Sequence, residues 1–257
     1  MLELPIPEDP VDVAVFGGSG FYSFLDDMTT VSIETPYGPP SADPVVGTVG
    51  GRRVAFMPRH GHTHSVPAHR VNYRANVWTM AALGAKALIA PFACGSLRAE
   101  LGRGHLVLVD QQVDRTHSRE ATFFDGPETW HHPFADPYDR DLGETLAIAA
   151  EEQGLPVHRG GTVVVIPGPR FSSRAESAWH QTMGWDLVNM TQAPEAALAG
   201  EAGLRYVAIG LVTDYDVGLD DDPSIEPVTQ DEVFSFLASN ADAMRELLHR
   251  AIPRLEL

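Results

Sequence analysis

Asp214 and Asp216 close an unbroken apolar run, Tyr206 to Val212, in the order Thr213-Asp214-Tyr215-Asp216. A run with β-branched members and no polar alternation predicts a strand buried on both faces. Ligands of open α/β sheets bind just beyond the carboxyl ends of such strands. Two carboxylates therefore stand where a substrate would, and burial of one beside the other would raise its pKa far enough for proton transfer near neutral pH. The same residues also suit a polar loop that caps the sheet, since Asp is a common turn former.

A second concentration of chemistry follows the apolar stretch Arg53 to Met57, in Pro58-Arg59-His60-Gly61-His62-Thr63-His64. Arg59 offers a planar fork of donors suited to phosphate, and His60 can add another donor. Zinc is the competing ligand, because His60, His62 and His64 would share one side of an extended chain. Asp or Cys partners at ligand spacing are absent nearby, which favours the anion. Near the N-terminus, Gly17-Gly18-Ser19-Gly20 follows a short strand, Val11 to Phe16. Its backbone and the Ser19 hydroxyl could approach an oxyanion, or the glycines could simply turn the chain.

These groups need elements to hold them. The pattern predicts strands at 85–92, 106–112, 162–166 and 187–190, with antiparallel edge strands within Thr30 to Thr48. Helices are expected over 72–83, where Gly84 stops the run, and over 141–154, 176–183, 195–202 and 231–249. Strands alternate with helices and no composition break intervenes, so residues 1–257 are expected to form a single α/β domain. Polar residues collect after strand after strand: Ser19, Arg59 with His60, Ser172, Thr191, and Asp214 with Asp216. From Thr116 to Pro137 the chain has little periodicity and carries Phe123, Phe124, Trp130, His131, His132, Pro133 and Phe134, more aromatic surface than a monomer's loop normally exposes.

The formal net charge of −17 predicts an acidic surface that repels nucleic acid and anionic membranes. Any bound anion must meet a local cluster of donors. The single cysteine, Cys94, excludes an intrachain disulfide framework and suits a reducing cytoplasm. The N-terminal residues lack signal-peptide character and no apolar run approaches the length of a membrane span, so a cytoplasmic protein is expected.

Taken together, several segments resemble the trimeric purine nucleoside phosphorylases, and most nearly the 5′-methylthioadenosine phosphorylase branch: Gly-Gly-Ser-Gly at 17–20, Pro-Arg-His-Gly at 58–61, Val-Asn-Tyr-Arg-Ala-Asn at 71–76, Ala-Cys-Gly-Ser-Leu at 93–97, Gly-Pro-Arg-Phe-Ser-Ser-Arg-Ala-Glu-Ser at 168–177, Asn-Met-Thr at 189–191 and Thr-Asp-Tyr-Asp at 213–216. The resemblance covers nearly the whole chain in order. It implies a three-layer nucleoside phosphorylase fold, a central mixed and twisted β-sheet flanked by helices. It also implies phosphorolysis of a nucleoside to free base and sugar 1-phosphate, with inorganic phosphate as co-substrate and neither cofactor nor metal.

By the same resemblance, Ser19, Arg59, His60, the backbone at Phe92 and Ala93, and Thr191 would hold phosphate. Met190 would lie under the ribose and His64 near its 5′ end. Phe171, Ser172, Asp214, Tyr215 and Asp216 would meet the purine, with Asp214 as general acid toward N7. Phe92 departs from the threonine common at its position. Gln230, beside Val233, replaces a small apolar residue next to the 5′ substituent, where it could bond a hydroxyl or merely cap the last helix. Ser172, Gln230 and Val233 would thus set specificity. The resemblance further implies a homotrimer in which His131 or His132 approaches the 5′ end of a nucleoside bound next door; a lid over the chain's own site is the alternative.

Overall fold

The computed structural model describes residues 2–5, 7–17, 25–219 and 228–257. The Gly18-Ser19-Gly20 part of the N-terminal glycine motif, and with it the expectation for Ser19, lies outside them. In chain order the elements are β1 (Val13–Gly17), β2 (Asp26–Thr30), β3 (Val45–Val49), β4 (Arg52–Pro58), α1 (Tyr73–Ala82), β5 (Ala87–Ser96), β6 (Leu106–Leu108), β7 (Gln111–Asp114), α2 (Arg140–Glu152), β8 (Val157–Arg159), β9 (Thr162–Val165), α3 (Arg174–Thr182), β10 (Leu187–Asn189), α4 (Gln192–Glu201), β11 (Arg205–Asp214) and α5 (Gln230–Ala251).

All the strands join one mixed sheet, in the order β2-β3-β4-β1-β5-β10-β9-β7, with β11 on the other edge of β5 and followed by β6 and β8. Side-chain alternation sorts its two faces. Ala14, Phe16, Tyr206 and Ala208 pack in the cluster containing α1 and α4 residues, whereas Val13, Val15, Val207 and Ile209 pack toward α2 and α5. This is the expected sheet between two helical layers.

The sheet's division at β5 makes the site. On one edge, β1 pairs with β5 only over Ala87 to Ile89, and β10 takes up the same strand only at Gly95 and Ser96. Between them that edge has no strand neighbour, while on the other edge β11 stays paired from Arg205 to Asp214. Two side chains occupy the exposed carbonyls of the gap: Arg59 Nη1 donates to Pro91 O at 3.3 Å and Asn189 Nδ2 to Ala93 O at 3.1 Å. Alternation directs the Ala93 N–H into the same gap as its carbonyl.

Several boundaries differ from expectation. β5 does not end at Phe92 but runs to Ser96, because both β10 and β11 pair with its last residues. The strand expected over 106–112 is two strands: β6 lies beside β11 and β7 beside β9. Between them Asp110 accepts from the Gly161 N–H at 3.0 Å as the chain crosses. β8 was too short and too polar to be legible. His60 to His64 is a turn rather than a strand continuation, with positive φ at Gly61 (77°) and His64 (55°). Among the described residues, no helix is long and apolar enough to cross a membrane.

Candidate active site

A cavity of about 540 Å³ opens along the unpaired edge of β5 and is lined by residues from the turn after β4 and from β5, β10, β11 and α5. Arg59 marks one end, at Pro91. Asp214 marks the other, paired with Gly95. Four residues of strand separate these points, about 13 Å at ~3.3 Å per residue. The cavity thus sets a cation and a carboxyl pair at opposite ends of a space large enough for a small ligand.

At the cationic end, Arg59 is 2% exposed and does not stand alone. Its Nε donates to Glu195 Oε2 at 2.6 Å and its Nη2 to Glu195 Oε1 at 2.9 Å, and the guanidinium lies 5.5 Å from the centre of the Phe16 ring. Burial works against the charge, but the Glu195 carboxylate outweighs it and Arg59 stays cationic. Two of its five N–H groups remain for a ligand. Tyr206 also donates to Glu195 Oε1, at 2.8 Å.

His60 lines the same end of the cavity. Its Nδ1 lies 2.9 Å from Val66 O, which fixes the ring proton there. Burial, with the Arg59 charge and His64 beside it, pushes its pKa down to about 3. The ring is neutral at physiological pH, so Nε2 is an acceptor rather than a second donor. His64 stacks on it at 4.4 Å and meets the edge of Phe234 from α5 at 4.9 Å. The third histidine of the turn, His62, is exposed. Among the described residues no group of three His, Cys, Asp or Glu side chains converges as a metal site.

Asn189 organises the next segment, a role the sequence reading missed. Its Oδ1 accepts from the Thr191 N–H at 2.6 Å and the Gln192 N–H at 2.9 Å, which caps α4 while its amide reaches Ala93. Thr191 is buried and lines the cavity, and its hydroxyl donates to Asn189 Oδ1 at 3.3 Å. Met190 also lines the cavity and is seated on Gly168, where an added Cβ would come within 2.6 Å of its sulfur.

At the other end the pairing of β11 with β5 shifts between Val212 and Asp214. Such a bulge re-aims side chains, and consecutive residues Thr213 and Asp214 both line the cavity. Asp214 Oδ2 accepts from Thr213 Oγ1 at 2.6 Å, and Oδ1 from the Asp216 N–H at 2.8 Å. Burial nevertheless pushes the Asp214 carboxyl up to about 6, against those two hydrogen bonds, with Asp216 adding to the rise. Burial is thus the main cause, and the second carboxylate a lesser one. Asp216 is 2% exposed and is itself raised by burial, although the Ser177 and Ser172 hydroxyls offset part of this. Asp216 Oδ2 and Ser172 Oγ complete no well-formed hydrogen bond and remain buried polar atoms.

Phe92, Ala93, Phe171, Gln230 and Val233 also line the cavity. Tyr215 does not: its hydroxyl lies beside Gly102, on the far side of the turn. Ser172 stands behind the wall, not in it. Gln230 is the first residue of α5, but the cap is Thr229, whose side chain accepts from the Glu232 N–H. The capping role considered for Gln230 is therefore taken by its neighbour.

Residues 12–253 match the family model described as "Phosphorylase superfamily". The chain belongs to this superfamily. Within it, this phosphorylase-superfamily chain is 49% identical over 253 residues to a purine nucleoside phosphorylase of Streptomyces coelicolor, covering 95% of this chain and 89% of that one. It is 48% identical over 247 residues to an S-methyl-5′-thioadenosine phosphorylase of Mycolicibacterium smegmatis, covering 95% and 92%. Among solved structures, the methylthioadenosine phosphorylase of Schistosoma mansoni in complex with adenine superposes with a TM-score of 0.86 at 37% identity, over 94% of this chain and 91% of that one.

Proposed function

We propose that this chain catalyses phosphorolysis of 6-aminopurine nucleosides, with 5′-methylthioadenosine as the main substrate and adenine and 5-methylthioribose 1-phosphate as products. The observation that carries this reading is the pairing, in one cavity, of a cation held at the Pro91 end of β5 with a carboxyl raised to about 6 at the Gly95 end. The names of the similar enzymes agree with it.

Phosphate sits at Arg59, the Ala93 N–H and Thr191; the part expected of Ser19 lies outside the described residues. His60 Nε2 accepts a hydrogen bond from the P–OH of hydrogenphosphate, and the proton stays on the phosphate. Met190 and His64 flank the sugar, and Phe171, Asp214 and Asp216 meet the base. The C1′–N9 bond breaks with its electron pair moving into the purine, Asp214 delivers a proton to N7, and a phosphate oxygen captures the cationic C1′. No cofactor takes part. A charged Asp216 accepts from the exocyclic amino group.

A second reading, an enzyme for nucleosides with a 5′-hydroxyl, is favoured by Gln230, which lines the cavity at the position where the resemblance implies a small apolar residue. Release of base from methylthioadenosine, adenosine and inosine, measured side by side with phosphate, separates the two. Methylthioadenosine should have the highest kcat/KM; a preference for adenosine or inosine would favour the second reading.

We further infer a cytoplasmic homotrimer, built from chains that each act as a single domain. Within the 116–137 segment, Phe123 is buried beside Tyr37 at 5.1 Å, and Glu201 accepts from the Phe123 N–H at 2.7 Å. His132 lies against Gly200 of α4, so His131, which is exposed beside the 42% exposed Trp130, is the better placed of the two to reach a neighbouring subunit. Light scattering tests this, since a fully active monomer excludes a shared site.

A further inference from the structure

Helix α3 buries only two residues, Ser177 and His180. A surface helix normally covers the core with an apolar stripe, yet this one turns a serine and a histidine inward, three positions apart and so on one face. That face looks at the turn after β11. Arg174 Nη1 donates to Val217 O at 3.2 Å and Gln181 Nε2 to Gly218 O at 3.5 Å, which tie the helix to the segment carrying Asp216. His180 is 2% exposed. Its Nδ1 and Asp216 Oδ2 are both buried without a partner among the described residues. An unpartnered ring nitrogen, which donates in the tautomer that carries its proton there, and an unpartnered carboxylate oxygen on facing elements are costly apart and cheap together.

We propose that His180 is a positioning residue whose ring N–H closes on Asp216 Oδ2 when a base fills the cavity, holding Asp216 as the charged, acceptor-only member of the carboxylate pair. This rests on the phosphorylase reading above and extends it to the choice of base. A charged Asp216 welcomes the N–H of a 6-amino group and repels a 6-oxo oxygen, while leaving the shared proton to Asp214. The groups facing His180 fit the role: Asp216 and Glu176 favour its protonation, Arg115 opposes it, and burial, the largest influence, holds its pKa down. Trp179 and Trp185 flank the ring at 5.6 and 5.5 Å, so its plane is fixed by packing. On the other side, burial raises the Asp216 pKa, the Ser177 and Ser172 hydroxyls and His180 offset part of that rise in favour of the charged form, and Glu176 adds to it.

The test is the preference for adenine over hypoxanthine, measured by calorimetry with free bases, and the adenosine to inosine ratio of kcat/KM from pH 6 to 8.5. His180→Phe keeps an aromatic ring between the two tryptophans but has no N–H, and its preference for the 6-amino base should fall about tenfold, the loss of one hydrogen bond to a charged group. His180→Gln, which still donates, should restore it. His180→Leu replaces the Phe variant if the latter does not fold. An unchanged preference in a folded Phe or Leu variant, or an equal loss for both bases, overturns the proposal. Base binding does not require turnover, so an enzyme that binds adenine but releases no base from either nucleoside would count against the phosphorylase reading and leave this test standing.

Discussion

Arg59 and Glu195 form a two-pronged ion pair, with N–O distances of 2.6 and 2.9 Å, and their side chains are 3% and 1% exposed. The cation at the Pro91 end of the cavity is therefore already paired with a carboxylate. The pair orients the guanidinium and leaves a limited set of N–H groups for the anion.

Removing one partner strands the other. Arg59→Ala should lose phosphate use and also about 3–5 kcal/mol of stability, because Glu195 becomes an unpaired buried charge. The double variant Arg59→Met, Glu195→Met should regain most of the Tm and still fail to use phosphate. Melting curves with phosphate titrations check both, and a normal phosphate KM in the double variant would remove Arg59 from the site.

Much of this arrangement was legible because its signals are local. The apolar run before Asp214 marks β11, and Arg59 with its histidines marks the end of β4. Glu195 was not legible, since nothing in its helix announces a partner 136 residues away. The acceptor state of His60 depends on the Val66 carbonyl, and Tyr215 turns away because the bulge at Thr213 resets the alternation. β6 and β7 look like one strand in sequence, because the crossing at Asp110 is made by tertiary hydrogen bonds and not by a glycine or proline.

Gly95 permits the close approach of the carboxyl turn. A Cβ there would lie 2.8 Å from Asp214 Oδ1 and 3.0 Å from the Asp216 N–H nitrogen. Gly95→Ala should lower kcat roughly a hundredfold by displacing Asp214 by about 1 Å, with a far smaller effect on the phosphate KM. An unchanged kcat would mean that the position of Asp214 is not critical.

The raised carboxyl of Asp214 costs stability. Its folded pKa of about 6 lies above the ordinary 3.8, so the stability contributed by this one group is fully present below 3.8 and is lost as pH rises through about 6. Asp214→Asn should therefore match the wild type near pH 3.5 and exceed it at pH 8, by up to about 3 kcal/mol at ~1.4 kcal/mol per unit. The same variant should lose about 10²- to 10⁴-fold in turnover of adenine nucleosides, the usual worth of a general acid. Denaturant melts at the two pH values, with kcat measured alongside, check both halves.

Gln230 lines the cavity on the first turn of α5, one turn before Val233 and Phe234. Gln230→Leu should raise the methylthioadenosine to adenosine ratio of kcat/KM by about tenfold or more, because an apolar wall suits a thioether and leaves a 5′-hydroxyl unpaired. A ratio that does not move would place the amide outside the sugar's reach.

Phosphate dependence tests the central claim most directly. Methylthioadenosine incubated with the enzyme should release adenine only when phosphate is present, and phosphorus NMR should show one equivalent of a sugar 1-phosphate for each adenine formed. Adenine released at the same rate in phosphate-free buffer, with free sugar as the second product, would mean that water is the nucleophile and would contradict the account.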